Sequence, residues 1–430
     1  MPRRDIWRRY QMAGTATIAL LGGALIDGSG ADPVNNTAIL MSGGKVKKVG
    51  PKDLVKLPKG CLALDVTGQT VMPGMMDLHV HLNMGELDVV IPSVGLHAGL
   101  ADPWPLRGLK SFAYARRALQ AGFTTLRDVG DMGNVAVSVR NAINSGIVEG
   151  PRVISCGQFL TTTGGHVDLM PLWLRRTDEV SNVADGVDGV VQAVRRQWKM
   201  KNDWVKFYAT GGVMDPEDKQ EFTDEEMVAL VQEAHSRAMP VCAHCMYAKG
   251  TLAALRAGLD SVEHGTDLTE EIVDLMVRNG TYLVPTLTAP DVIVTKGLEF
   301  GMPRWYIERM QPHLDSQIRS FKMALQKGVK IATGTDAGFN AILHGTSASE
   351  LQYLVRHGMT PMQAIVAATS SSAALLRKQD QLGTIEPGKL ADVIVVDGNP
   401  LEDISILQDK GKITLVMKEG AIQVNRMGHS

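Results

Sequence analysis

The sequence predicts an α/β protein built on a (β/α)8 TIM barrel, with a small discontinuous β-sandwich domain formed by both termini. Its 430 residues exceed the roughly 250 residues of a bare barrel. The middle of the chain alternates short apolar runs with helical patterns, whereas both ends are rich in strand and turn signals. We therefore expect the small domain at residues 1–72 and 380–430, with the catalytic barrel at 73–379. An open doubly wound sheet is the alternative, but no GxGxxG motif follows an early strand.

Strand signals at the two ends predict the small domain. Thr37–Met41 and Lys45–Val49 flank a Ser-Gly-Gly turn at 42–44, which is typical of a hairpin. Near the C-terminus, Ala391–Val396 and Ile413–Met417 each precede a turn that contains glycine. Because these two strand-rich ends bracket a long middle, we expect their strands to form one domain.

Eight short apolar runs supply the predicted barrel strands. Helical patterns separate them, and the Thr-Asp-Glu-Glu sequence at 223–226 predicts a capping box at the start of a helix over Thr223–Arg237. The predicted strands are Met76–His81, Thr124–Asp128, Arg152–Cys156, Trp204–Ala209, Val241–His244, Ser261–His264, Tyr282–Thr286 and Lys330–Thr335.

Composition indicates an ordinary globular enzyme. Hydrophobic residues make up 44% and charged residues 21%, and the formal net charge is −2. This charge balance argues against a nucleic-acid or anionic-membrane partner.

Four cysteines are too few for a disulfide scaffold, so we expect reduced thiols in a cytoplasmic protein. The Cys242-Ala-His-Cys245 spacing leaves a zinc knuckle or redox pair as a less favoured alternative. The basic arm at 1–10 is predicted to be a disordered terminus, and Ile18–Ile26 the first strand.

Polar residues at the C-terminal ends of five predicted strands indicate a metal site. Two histidines at positions i and i+2 of one strand face the same side, so both can point into the barrel mouth. A lysine inside the apolar fourth strand is unusual unless it has a partner or reaches water at the rim. Each residue alone is more simply structural, but barrel active sites lie at this face. The six candidates are His79, His81, Lys206, His244, His264 and Asp336.

These residue types fit two divalent cations, with zinc favoured over manganese or cobalt. A neutral amine would bridge two ions poorly. If Lys206 adds carbon dioxide, the carbamate offers one oxygen to each ion. That addition requires the deprotonated amine, which an apolar strand beside two cations would favour.

Longer motifs resemble the amidohydrolase superfamily over nearly the whole chain. Pro73–His81 reads PGMMDLHVH and is similar to the signature of that superfamily. Gly383–Val393 is similar to its usual return into the small β domain. Within the superfamily, Val205–Gly212 and the TGGH loop at 163–166 resemble a narrower group. The sequences around His264 and Asp336 resemble the same group. That group comprises Xaa-Pro dipeptidases and other metal-dependent dipeptidases or carboxypeptidases, including ochratoxin-degrading amidohydrolases.

The resemblance implies a role for each metal ligand. His79 and His81 would hold the first ion together with Asp336, and His244 and His264 would hold the second. The carbamylated lysine of the fourth strand would bridge the two ions. The aspartate, which contacts the attacking water, is the best candidate to move the catalytic proton.

The resemblance further implies that His166 and Tyr247 bind a free carboxylate of the substrate. The expected reaction is hydrolysis of the amide before a C-terminal hydrophobic amino acid in dipeptides or N-acyl amino acids, including ochratoxin A, which would give ochratoxin alpha and phenylalanine. The loop Leu82–Leu106 would cover an apolar pocket or pack in an interface, and relatives imply a homo-oligomer such as an octamer. Alternatives are a cyclic amidase, such as a hydantoinase or an imidazolonepropionase-like enzyme, and a non-catalytic scaffold. The imidazolonepropionase type uses one metal and lacks the bridging lysine.

Overall fold

The computed structural model describes residues 17–84, 102–168, 173, 181–215, 218–339 and 342–427. The predicted basic arm lies outside these residues. Most of the predicted loop at 82–106 also lies outside them. Among the described residues, no helix is both long enough and apolar enough to cross a bilayer.

Among the described residues, strands from both ends of the chain form one eight-stranded sheet. Its order is β18-β17-β16-β5-β1-β2-β3, with β4 beside β1. The predicted hairpin pairs Met41 with Val46. A separate apolar core unites the two ends, with Leu20 and Val71 packed in one cluster with Val393. The strands are β1 (Ile18–Leu25), β2 (Val34–Ser42), β3 (Lys45–Pro51), β4 (Leu62–Asp65), β5 (Thr70–Pro73), β16 (Val393–Val396), β17 (Ile413–Lys418) and β18 (Ala421–Asn425).

The described part of the middle holds ten parallel strands, and each of the eight predicted strands overlaps one of them. The two additional strands are Phe159–Thr161 and Ser181–Val183. The strands are β6 (Met75–Val80), β7 (Phe123–Asp128), β8 (Arg152–Ser155), β9 (Phe159–Thr161), β10 (Ser181–Val183), β11 (Val205–Tyr208), β12 (Val241–Cys245), β13 (Ser261–His264), β14 (Tyr282–Val284) and β15 (Lys330–Ile331).

These strands follow the order of a barrel, but the hydrogen-bonded ladder is not closed. One sheet is β6-β7-β8 and the other is β10-β9-β11-β12-β13-β14-β15. Backbone bonds connect them at two seams: Asp203 N–H donates to Ser155 O at 2.8 Å, and Leu78 N–H donates to Thr333 O at 2.8 Å. The last strand is therefore shorter than predicted, because the chain beyond residue 331 leaves the ladder and crosses toward β6.

Helices flank the strands and bury one face against them. The predicted helix over 223–237 is confirmed: Thr223 caps α4, and its reciprocal bonds with Glu226 form the capping box. The helices are α1 (Trp104–Gln120), α2 (Val135–Asn144), α3 (Gly186–Lys199), α4 (Asp224–Ser236), α5 (Ala248–Ala257), α6 (Glu270–Asn279), α7 (Thr288–Lys296), α8 (Arg304–Gln326), α9 (Ala348–Arg356), α10 (Pro361–Val366) and α11 (Ser372–Leu375). Short helical turns cover Lys52–Leu54, Ala367–Ser371 and Ile404–Gln408.

Strand alternation separates the barrel interior from the layer under the helices. On β11, Phe207 packs in the outer core, whereas the neighbouring Lys206 points the other way. On β12, Cys242 belongs to the interior cluster and Cys245 to the outer core. All four cysteines are free thiols. Because the two cysteines of the CxxC spacing lie on opposite sides of β12, the structure does not support a shared metal or redox site there.

Candidate active site

The two histidines at the end of β6 converge on one carboxylate. His79 Nε2 lies 3.4 Å from Asp336 Oδ1, and His81 Nε2 lies 3.1 Å from the same oxygen. A ligand atom from each of the three residues lies within 4.8 Å of the others, which is a spacing that could hold a metal ion. Asp336 reaches this place because its N–H donates to His79 O at 2.8 Å as the chain crosses toward β6.

Hydrogen bonds on the opposite ring nitrogens orient the histidines. His81 Nδ1 lies 2.9 Å from the carbonyl oxygen of Gly130, which can only accept, so Nδ1 carries the proton. His264 Nδ1 lies 2.7 Å from Thr286 Oγ1. A histidine that binds metal through one nitrogen commonly donates its other N–H in this way. The arrangement leaves Nε2 as the nitrogen for a ligand.

His79 is held by a buried carboxylate that sequence reasoning missed. Its Nδ1 lies 2.7 Å from Oε2 of Glu263 on β13, and the other oxygen of that carboxylate accepts from Arg127 at 2.7 Å. Arg127 is fully buried and lies over the Trp204 ring, 4.7 Å from its centroid. Although burial opposes ionisation, Arg127 and His79 hold the pKa of Glu263 well below its usual range. A charged residue inside an apolar strand, such as Arg127 or Glu263, was the signal available in the sequence.

The second pair of histidines packs against the first. The ring centroids of His264 and His79 are 4.8 Å apart, and those of His244 and His264 are 4.6 Å apart. His244 Nε2 is buried without a hydrogen-bond partner among the described residues. A buried imidazole nitrogen without a partner is costly unless something binds it. This orphaned nitrogen belongs to a ring that packs on His264 and lines the same cleft as Asp336, and a metal ion fits as its partner.

Lys206 enters the same cluster from β11. It is only 1% exposed, and it shares a strand face with Tyr208, whose ring centroid lies 5.2 Å from its Nζ. Tyr208 also packs on His244, with ring centroids 4.9 Å apart, so Lys206 and His244 contact the same ring.

Electrostatics favour the metal-binding forms of Asp336 and of three of the four histidines. His79 is the exception: burial opposes its protonation, but its bonds to Asp336 and Glu263 raise its pKa. Burial lowers the pKa of His81, and burial with neighbouring positive charge lowers those of His244 and His264 well below the usual value. Burial would raise the pKa of Asp336, but its bonds to His79 and His81 hold it well below the usual value. Neutral imidazoles and an ionised carboxylate are the forms that bind divalent metals.

Two residues of the cluster adopt left-handed backbone conformations. His264 has φ 69° and Asp336 has φ 65°. Residues other than glycine rarely occupy this region, and they tend to do so where surrounding contacts over-determine the geometry, often at functional sites. The turn at each position lets the side chain leave the strand end and face the centre of the cluster.

A cleft opens over the cluster. Its volume is about 1070 Å³, which includes the space at its opening to solvent. His166, His244, His264 and Asp336 line its polar end. Its remaining wall is mostly apolar and rich in methionine, with Met84, Met132, Phe159, Val213, Met214, Met246, Ile293, Met310 and Phe339. Such a wall suits an apolar group of variable shape.

The structure places one of the two predicted substrate-binding residues in the cleft and the other behind its wall. His166 lines the cleft, with its ring stacked at 5.0 Å on that of His244. Tyr247 packs in the apolar cluster behind the wall, with Met246 and Met310, and its hydroxyl donates to Gly212 O at 3.3 Å. Tyr247 is not among the described residues that line the cleft.

The chain is similar to known proteins along most of its length. A match to the amidohydrolase family covers residues 70–422. An ochratoxinase from Aspergillus niger is 33% identical over 426 residues, which is 94% of this chain and 86% of that protein. A solved Xaa-Pro dipeptidase with bound methionine has a TM-score of 0.84 and 36% identity, with coverage of 95% of this chain and 99% of that one. A solved prolidase complexed with N-methylphosphonate-L-proline has a TM-score of 0.85 and 30% identity, with the same coverage.

The predicted resemblance is confirmed, and the architecture is that of the family. The family match spans most of the chain, and the relatives align along almost its entire length. The chain therefore belongs to the amidohydrolase family, a family of metal-dependent hydrolases, and is an enzyme of that family.

Proposed function

We propose that this enzyme hydrolyses the amide bond before a C-terminal hydrophobic amino acid, in dipeptides or N-acyl amino acids. One observation carries the proposal: His79, His81 and Asp336 lie close enough to hold a metal ion, and Asp336 lines the polar end of a mostly apolar cleft together with His244 and His264. The relatives support the same class, since they include an ochratoxinase and an Xaa-Pro dipeptidase. Ochratoxin A, which would give ochratoxin alpha and phenylalanine, is one candidate substrate.

Two divalent ions, with zinc as the favoured metal, complete the proposed site. His79, His81 and Asp336 would hold the first, and His244 and His264 the second. Lys206, carrying carbon dioxide as a carbamate, would supply one oxygen to each. Ions bound there would polarise the amide carbonyl and lower the pKa of the attacking water.

Asp336 moves the proton in this proposal. Its carboxylate stays ionised at neutral pH, because the neighbouring imidazoles hold its pKa well below the usual value. It accepts a proton as the water oxygen bonds to the carbonyl carbon. It then delivers that proton to the leaving nitrogen as the C–N bond breaks, and the products are a carboxylic acid and a free amino acid.

His166 and the apolar wall select the substrate. The imidazole meets the free carboxylate, and the methionine-rich wall accommodates an apolar side chain. Tyr247 supports the wall from behind, and its predicted contact with the carboxylate would require a change in its bond to Gly212. The homo-oligomer, the cytoplasmic location and the domain boundaries remain predictions from sequence.

A matched pair of substrates tests the function. We expect zinc-loaded enzyme to cleave an N-acyl phenylalanine and to turn over the corresponding C-terminal amide far more slowly. Loss of a hydrogen bond to a charged group costs about 1.5–3 kcal/mol. That range corresponds to roughly ten- to a hundred-fold in kcat/KM at about 1.4 kcal/mol per decade.

The variant His166→Ala should weaken turnover of the acid by that factor and leave the amide almost unchanged. A change that distorts the metal ligands would instead reduce turnover of both substrates alike. Equal cleavage of acid and amide by the unmodified enzyme would contradict the proposal. That result would favour neutral substrates such as cyclic amides.

A further inference from the structure

We propose that Asp215 is a positioning residue for substrate recognition, because it fixes the imidazole of His166 so that Nε2 faces the substrate carboxylate. This inference rests on the proposed function and adds a residue to it. Asp215 lies in the loop after β11, whereas His166 lies in the loop after β9. The two loops meet at the polar end of the cleft.

The Asp215 carboxylate makes several bonds in this loop. Its Oδ2 lies 2.5 Å from His166 Nδ1 and accepts from Gly212 N–H at 2.8 Å. Its Oδ1 accepts from Lys219 Nζ at 3.3 Å, and the same ammonium donates to Gly164 O at 2.7 Å. Asp215 thus ties the turn at 212–215 to the loop that carries His166.

The ring of His166 has little freedom to turn. It stacks at 5.0 Å on His244, and its centroid lies 5.3 Å from that of Tyr208. It also lies against the backbone of Gly212, where an added Cβ would clash with the imidazole. The backbone N–H of His166 donates to the Glu221 carboxylate at 2.5 Å, and this bond anchors the main chain. With the ring confined and Nδ1 bound to Asp215, Nε2 is the nitrogen that a molecule in the cleft can meet.

Charge supports the same assignment. Asp215 is largely buried, which opposes ionisation, but its hydrogen bond with His166 and its other contacts lower its pKa below the usual range. An ionised carboxylate only accepts, so it holds the proton on Nδ1. For Nε2 to donate to a second carboxylate it must carry a proton as well, so the form that binds is the imidazolium, which the Asp215 carboxylate stabilises. Lys219 offsets the charge of Asp215, which reduces its repulsion of an acidic substrate.

The variant Asp215→Asn tests this role, because it keeps the shape and can still accept from Gly212 N–H. For the free-acid substrate, we expect KM to rise about ten-fold, the lower end of the loss for a bond to a charged group, with kcat nearly unchanged. For the C-terminal amide, both constants should stay near those of the unmodified enzyme. Asp168→Asn is the control, since Asp168 accepts from Gly164 N–H at 2.8 Å in the same loop. It should leave both substrates unaffected.

A double variant separates positioning from a general structural effect. If Asp215 acts through His166, then Asp215→Asn should add almost nothing in a His166→Ala background. An additional ten-fold loss there would overturn the inference, as would an unchanged KM in the single variant or equal losses for acid and amide. If the asparagine variant does not fold, Asp215→Ser carries the same comparison. Failure of the proposed function is distinct, because the unmodified enzyme itself would then cleave acid and amide equally.

Discussion

Glu263→Gln probes the buried network beneath the metal ligands. The carboxylate bonds His79 Nδ1 at 2.7 Å and Arg127 at 2.7 Å, and it accepts from Ser261 Oγ at 2.6 Å. Glutamine keeps the size of the side chain and removes its charge. Two separate effects follow, one on the stability of the fold and one on the affinity for metal.

The effect on stability comes from Arg127, which would lose its buried anion. Removal of one partner of a buried ion pair costs about 3–5 kcal/mol. The effect on metal affinity comes from His79, because its ring would be less firmly oriented and less basic. Loss of such a supporting partner lowers metal affinity about 10- to 100-fold, or about 1.4–2.8 kcal/mol at 1.4 kcal/mol per decade.

Two assays separate these effects. Denaturant unfolding of metal-free protein reports stability, and competition with a chelator reports zinc affinity. Pairing the change with Arg127→Met removes the unbalanced cation, so the double variant should recover stability but not zinc affinity. Glu350→Gln is the control: it alters a fully buried carboxylate that accepts from Leu287 and Thr288 at the start of α7. A folded Glu263→Gln protein with unchanged zinc affinity would refute the role assigned to this carboxylate.

Two other predictions concern the bridge and a helix cap. Lys206→Ala should abolish most activity, and short carboxylic acids should restore part of it by taking the place of the carbamate. Lys206→Arg should not recover activity, because its guanidinium stays protonated and cannot carry a carbamate. Wild-type rates in either variant would refute the proposed bridge. Thr223→Ala removes a bond to Glu226 N–H and should lower the free energy of unfolding by about 1 kcal/mol, measured with denaturant. An unchanged midpoint would show that the capping box contributes nothing.

The sequence predicted the parts of the site that local patterns encode. His79 and His81 share a strand face because side chains alternate along a strand, and the eight apolar runs gave the strand order. The partners of those residues were harder to predict. Glu263 lies 184 residues from His79 in the chain, so only the fold shows that they touch. The same holds for Asp215 and His166, which are 49 residues apart and lie on different loops.

Backbone geometry accounts for the remaining differences. The predicted strand Lys330–Thr335 is cut short because the chain leaves the ladder and bonds to β6 instead, which carries Asp336 to the histidines. Spacing along the chain put Tyr247 near the mouth, but its side chain packs into the apolar wall with Met246. A periodic pattern identifies a strand and its faces, whereas it does not determine where the chain turns after the strand ends.

The number of metal ions per chain distinguishes the proposed binuclear site from a site with one metal. We expect two ions per chain, bridged by carbamylated Lys206. Protein reconstituted with zinc and bicarbonate, freed of excess metal and analysed for elements, should contain close to two equivalents at full activity. The Lys206→Ala variant, prepared in the same way, should retain less. One equivalent of zinc in fully active enzyme would contradict the binuclear site.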